Sequence, residues 1–196
     1  MLNKVLFTAR TRFQPYLLRN FTTSKIKVGD KFPPAVVAVV KFDENNGFTN
    51  EIVDINEYFE NKSVVLIGFP GAFTPTCMSQ HIPQFIGRSN EIRQKGADEI
   101  IAMSVNDPFV TTAFAEILSG RDKLSFIADG NGELTSALGL DMDLTPVQLG
   151  PIRSKRFTMI VKNNVITAIN SEDGAMFTEK SCAARILDSI TPLKHI

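Results

Sequence analysis

The chain has 196 residues, 43% of them hydrophobic, and its 21 Lys and Arg are balanced by 21 Asp and Glu. That length suits one compact domain with a sizeable core, and the composition excludes an intrinsically disordered chain. No apolar run approaches the ~20 residues that a membrane-spanning helix needs, so no membrane association is expected.

The charge is unevenly placed. Residues 1–29 carry Lys4, Arg10, Arg12, Arg19, Lys25 and Lys27 and no acidic residue. Leu2, Val5, Leu6, Phe13, Leu17 and Leu18 are mixed among these bases, together with Thr8, Thr11, Thr22, Thr23 and Ser24. A basic, hydroxyl-rich, acid-free start has the composition of a mitochondrial transit peptide. Residues 1–24 are therefore expected to be a leader and residues 25–196 the folded domain. Four of the 21 bases lie in that leader, which leaves 17 bases against 21 acids, a net charge of −4. A mildly acidic body argues against nucleic acid as the partner.

In chain order, residues 35–40 read as a strand and 43–47 as a polar turn. Residues 52–59, apolar at 52, 55, 58 and 59, read as a short helix. The run Val64-Val65-Leu66-Ile67 reads as a buried central strand. A Pro/Gly turn then leads to Thr74-Pro75-Thr76-Cys77. Thr is a favoured N-cap, and Pro at the next position already has a helical φ and no N–H to orphan. The helix is expected to continue, kinked at Pro83, to Gly96. Residues 99–105 read as a strand, and Asn106-Asp107-Pro108 opens a helix that Gly120 closes. Residues 124–128 form a strand, 133–138 a short helix and 141–151 an irregular connection. Residues 157–161 and 165–170 read as a hairpin around Lys162-Asn163-Asn164, and 178–190 as a terminal helix. Strands alternating with helices, followed by a hairpin, predict an α/β fold with a central mixed β-sheet flanked by helices.

Only two cysteines are present, Cys77 and Cys182, and two histidines, His81 and His195. Two cysteines are too few for a disulfide-stapled fold of this length, and cannot alone make a four-ligand zinc site. Cys77 falls in the first turn of its helix, where unpaired N–H groups stabilise an anion, and a thiolate is the anion on offer. Thr74 either caps the helix or turns its hydroxyl to the sulfur. His81, one turn after Cys77 on the same face, is a conceivable base, but hydrolysis would also need an orienting group and an oxyanion hole. Arg156, opening a strand, is a candidate cation or a solvated charge. These residues alone leave peroxidase, protease, thiol–disulfide exchange and redox sensing open. Exchange is disfavoured because Thr74 stands where a Cys-x-x-Cys motif would have its first cysteine.

The segment Phe69-Pro70-Gly71-Ala72-Phe73-Thr74-Pro75-Thr76-Cys77, followed by His81-Ile82-Pro83, resembles the active-site segment of the atypical peroxiredoxin 5 / type II peroxiredoxin family. Ser104-Val105-Asn106-Asp107-Pro108-Phe109 and Lys155-Arg156-Phe157 resemble two further family segments in the right order. The resemblance covers about residues 26–190. It implies a thioredoxin-like fold and a thiol peroxidase acting on hydrogen peroxide and alkyl hydroperoxides, without metal or organic cofactor. Thioredoxin, glutaredoxin or glutathione would be the reductant, and a homodimer is left open. By position, Cys77 corresponds to the peroxidatic cysteine that passes through a sulfenic acid. Thr74 orients it, Pro70 shields the pocket and Arg156 activates sulfur and peroxide. Cys182 lies in the region where some members carry a resolving cysteine, but a few residues late and within an apolar helical stretch, so resolving and packing both stand. Mitochondria, the matrix in particular, are the expected location. Cytoplasmic and peroxisomal placements are left open, although Lys194-His195-Ile196 departs from a Ser-Lys-Leu address.

Overall fold

A computed structural model of the chain describes residues 26–118 and 120–190. The expected leader, residues 1–24, lies outside the described residues. Strand β1 (Val36–Asp43) turns through Asp43, whose Oδ1 accepts the N–H groups of Asn45 and Asn46 (both 2.9 Å), into β2 (Gly47–Asp54). Helix α1 (Ile55–Phe59) follows, then β3 (Ser63–Gly68) and a π-helical turn at Cys77–His81. That turn runs into α2 (Ile82–Gly87) and α3 (Ser89–Gln94). The chain continues through β4 (Glu99–Ser104), α4 (Pro108–Ile117), β5 (Ser125–Ala128), α5 (Glu133–Ala137), β6 (Asp141–Leu144) and β7 (Gly150–Ser154). A hairpin of β8 (Phe157–Lys162) and β9 (Val165–Ser171) precedes the last helix, α6 (Ala183–Leu187).

Seven strands make one mixed sheet in the order β2-β1-β5-β4-β3-β8-β9. β3 and β5 flank β4 in parallel, while β1 and β8 join this trio antiparallel. The continuous apolar character of β3 follows from burial on both faces. Val65 and Ile67 enter a core with Phe69, Cys77, Phe85, Phe114 and Ile160, whereas Val64 and Leu66 enter the opposite core with Ile101, Phe157 and Met159. The hairpin turn is made by Asn163 and Asn164, both with positive φ (45° and 61°), the geometry that suits a tight hairpin between right-twisted strands.

Three expectations are corrected. Residues 52–54 are strand rather than helix, because the turn at Asp43 pairs Asp43 with Gly47 and zips β2 onto β1 as far as Asp54. Asp54 then caps α1 by accepting from Asn56 N (2.9 Å), so the helix begins at Ile55. The connection 141–151 contains a two-stranded ribbon, β6 with β7. The terminal helix is broken: Glu179–Ser181 is a single 3₁₀ turn, Cys182 is extended (ψ 160°), and only Ala183–Leu187 is α-helical.

Gly68 lies opposite Phe157 in the β3–β8 register, and a methyl group built on it would overlap the Phe157 ring. Gly68→Ala should therefore destabilise the domain by about 1–3 kcal/mol, the usual cost of overpacking. Urea denaturation checks this; an unchanged midpoint would contradict the packing described.

Candidate active site

The site is built at the C-terminal end of β3. Phe69 N donates to Met103 O of β4 (3.0 Å), and the buried Pro70 turns the chain out of the sheet. Asn106, after β4, ties the turn down: its Oδ1 accepts from Ala72 N (2.9 Å) and Ser104 Oγ (3.1 Å). Its neighbour Asp107 caps α4, accepting from Phe109 N and Val110 N (2.9 and 3.0 Å). Phe73 adopts φ +63°, uncommon for a bulky side chain, and its ring meets Phe114 edge-on at 5.4 Å. The helix starts at Pro75, as the cap motif predicts. Thr74 does not cap it with its side chain. The hydroxyl donates back to Gly71 O (2.9 Å), which closes the turn.

Cys77 begins the π-turn, in which Ile82 N donates to Cys77 O across five residues. Such one-residue insertions recur at functional sites. Pro83, with no N–H to offer, stands just beyond, at the start of α2. Cys77 and His81 are both fully buried, and Arg156, just before β8, is 3% exposed. Arg156 Nη1 donates to Cys77 Sγ (3.1 Å) and faces His81 Nδ1 at 3.3 Å, while Nε donates to Ala175 O (2.7 Å). His81 Nε2 lies 3.1 Å from Ser181 O.

These partners fix the histidine. A carbonyl cannot donate, so Nε2 carries the proton. A guanidinium cannot accept, so Nδ1 is the acceptor and the ring is neutral. Burial first, and the Arg156 charge second, push the His81 pKa down to about 4. With Nδ1 occupied by Arg156, His81 is not arranged as a base for Cys77; it holds the arginine instead. Arg156 makes no ion pair among the described residues. The group it touches that can take negative charge is Sγ, and a buried cation without a counter-charge is costly.

Cys182 is brought near this cluster but not into it. Both cysteines are free. Cys182 Sγ accepts from Arg185 N (3.4 Å) as the N-cap of α6. It lines an open depression of about 330 Å³ with Gln84, Phe177, Thr178 and Glu179. Two further residues shape the site without having stood out in the sequence. Arg153 of β7 donates to Val105 O (2.7 Å) and Leu149 O (2.6 Å), fixing the ribbon beside the Gly71 turn. Glu172, 4% exposed, accepts from Thr178 and Ser181. Among the described residues no three His, Cys, Asp or Glu side chains converge as a metal site.

Residues 27–186 match the family described as Redoxin. Within it, the chain is 44% identical over 156 residues to peroxiredoxin-2D of Arabidopsis thaliana, covering 80% of this chain and 93% of that protein. Peroxiredoxin-2F, mitochondrial, of the same plant is 35% identical over 149 residues, covering 76% and 74%. The crystal structure of reduced Prx3 from Vibrio vulnificus in complex with hydrogen peroxide superposes with a TM-score of 0.73 at 36% identity, covering 84% of this chain and 99% of that one. The fold is thus the thioredoxin-like fold of the redoxins. More narrowly, the chain belongs to the peroxiredoxins of the type II kind, and is a thiol peroxidase, an oxidoreductase, by class.

The depressed His81 pKa predicts a stability signature. Between about pH 4 and 6.5 the unfolded chain binds the His81 proton and the folded chain does not. Stability from this group is present above pH 6.5 and is lost as pH falls towards 4, on the order of 3 kcal/mol in all. In His81→Gln the slope of unfolding free energy against pH should flatten in that window. An unchanged slope would show that His81 titrates alike in both states.

Proposed function

We propose that the chain reduces hydrogen peroxide and alkyl hydroperoxides through a Cys77 sulfenic acid. The observation that carries this is the Arg156 Nη1 contact to Cys77 Sγ at 3.1 Å, made by a buried guanidinium with no carboxylate partner among the described residues. In the reaction the Cys77 thiolate attacks one peroxide oxygen. An S–O bond forms, the O–O bond breaks, and the other oxygen takes a proton and leaves as water or alcohol. Sulfur loses two electrons and the peroxide gains them. Arg156 stabilises charge first on sulfur and then on the departing oxygen. Thr74 exchanges its bond to Gly71 O for one to the peroxide and aligns it. Pro70 walls the pocket.

Return of Cys77 to the thiol needs two equivalents of an external thiol. The first forms a mixed disulfide and expels water, and the second releases Cys77. Thioredoxin, glutaredoxin or glutathione would serve. An external reductant is favoured over Cys182 because that sulfur caps α6, accepting from Arg185 N (3.4 Å). A mitochondrial location is supported by the composition of residues 1–24 and by the relative whose name includes that organelle.

Cys77→Ser should abolish peroxide turnover with any of these reductants, and Arg156→Met should lower kcat/KM by about 10²–10³-fold, the scale for loss of one oriented donor. Near-normal turnover in either variant would sink the mechanism. Intact mass measured after one equivalent of peroxide, with no added thiol, should show one added oxygen. A loss of two hydrogens would instead make Cys182 the resolving residue.

A further inference from the structure

The hydrogen bonds of the site lead outward to one carboxylate. Arg156 is held through Nε by Ala175 O (2.7 Å), and His81, which holds Arg156 Nη1, is itself held by Ser181 O (3.1 Å). The Phe177 ring packs on the His81 ring at 5.0 Å. All three supports belong to the segment 172–182, which leaves the sheet at the end of β9 and returns to start α6. Little regular structure holds that segment. Its 3₁₀ turn is three residues long, and the Lys180–Asp173 ion pair is exposed and correspondingly weak.

Glu172 closes it. Oε1 accepts from Thr178 N (3.0 Å), Ser181 N (3.1 Å) and Ser181 Oγ (2.9 Å), and Oε2 accepts from Thr178 Oγ1 (2.7 Å). The Glu172 backbone N donates to Arg156 O (2.8 Å), so the brace starts at the residue it serves. The carboxylate has no ion pair among the described residues, yet it is buried. Burial alone would raise its pKa, but the bonds from Thr178 and Ser181 outweigh burial and hold the carboxyl below its ordinary range. A turn needing only closure can use water or a neutral side chain. A buried anion that collects four donors fixes the positions of both residue 178 and residue 181.

We propose that Glu172 is a positioning residue for peroxide reduction. By closing the segment 172–182 it sets the two carbonyls and the ring that hold Arg156 and His81, and through them the Arg156–Cys77 contact. It touches neither sulfur nor peroxide. This rests on the reading of Cys77 and Arg156 as the reacting pair.

The test is a double-mutant cycle on the second-order rate of Cys77 oxidation by hydrogen peroxide, followed as loss of free thiol in a Cys182→Ser background. Glu172→Gln replaces one acceptor oxygen with a donor that faces the Thr178 and Ser181 donors. It should slow oxidation at least tenfold when Arg156 is present and less than twofold alongside Arg156→Met, because its effect passes through the arginine. Thr178→Val removes one donor from the segment and leaves the carboxylate in place. It should give a smaller loss that likewise vanishes alongside Arg156→Met, so the proposal stays testable if Glu172→Gln fails to fold. Unchanged rates in both variants, or equal losses with and without Arg156, would overturn the positioning role. If the Cys182→Ser protein with Arg156 and Glu172 intact reacted no faster than a free thiol, the peroxidase reading itself would fall instead.

Discussion

One guanidinium nitrogen organises this molecule. Arg156 Nη1 is shared between Cys77 Sγ and His81 Nδ1, and each of those atoms comes from a different level of the structure. The sulfur is placed by the turn after β3, and the imidazole by the π-turn that follows. The arginine comes from the residue before β8, the strand paired with β3 on the side away from β4. A cation buried this deeply is tolerable only with its donors used and a counter-charge within reach. The bonds to Cys77 Sγ, His81 Nδ1 and Ala175 O use Nη1 and Nε, and Sγ is the one atom among these partners that can carry a negative charge. Stability and reactivity therefore bear on the same atoms.

The same sharing decides what His81 does. A cysteine and a histidine one helical turn apart could form a hydrolytic pair, but the arginine occupies the nitrogen that such a pair would need. The remaining N–H is fixed on Ser181 O. The histidine becomes a neutral hydrogen-bonded spacer whose burial favours that neutral state. With both ring nitrogens engaged, His81 offers Cys77 no base.

Much of the fold was legible in the sequence because its signals are local. The apolar run at 64–67, the cap at Asp107, the Thr-Pro helix start and the Asn-Asn hairpin turn are each specified by neighbours within a few residues. Cys77 stood out in the same way, from its place in a helix start. What sequence reading misplaced depends on distant partners. The strand at 52–54 is imposed by pairing with β1, and the terminal helix is interrupted because Glu172 takes the N–H groups of Thr178 and Ser181. Arg156 stood out only through a family resemblance, since nothing around it signals that its side chain turns inward to a sulfur 79 positions away. Glu172 carried no signal at all: an acidic residue beside Asp173 and Gly174 looks like a solvated turn.

The central question is whether the Arg156 contact makes Cys77, rather than Cys182, the thiol that peroxide oxidises. Dimedone trapping after one equivalent of hydrogen peroxide, followed by peptide mapping, tests this directly. A sulfenic acid adduct is expected on Cys77 in the unmodified chain, none on Cys182, and little on either when Arg156→Met is treated in the same way. An adduct on Cys182, or equal labelling of Cys77 with and without the arginine, would contradict it.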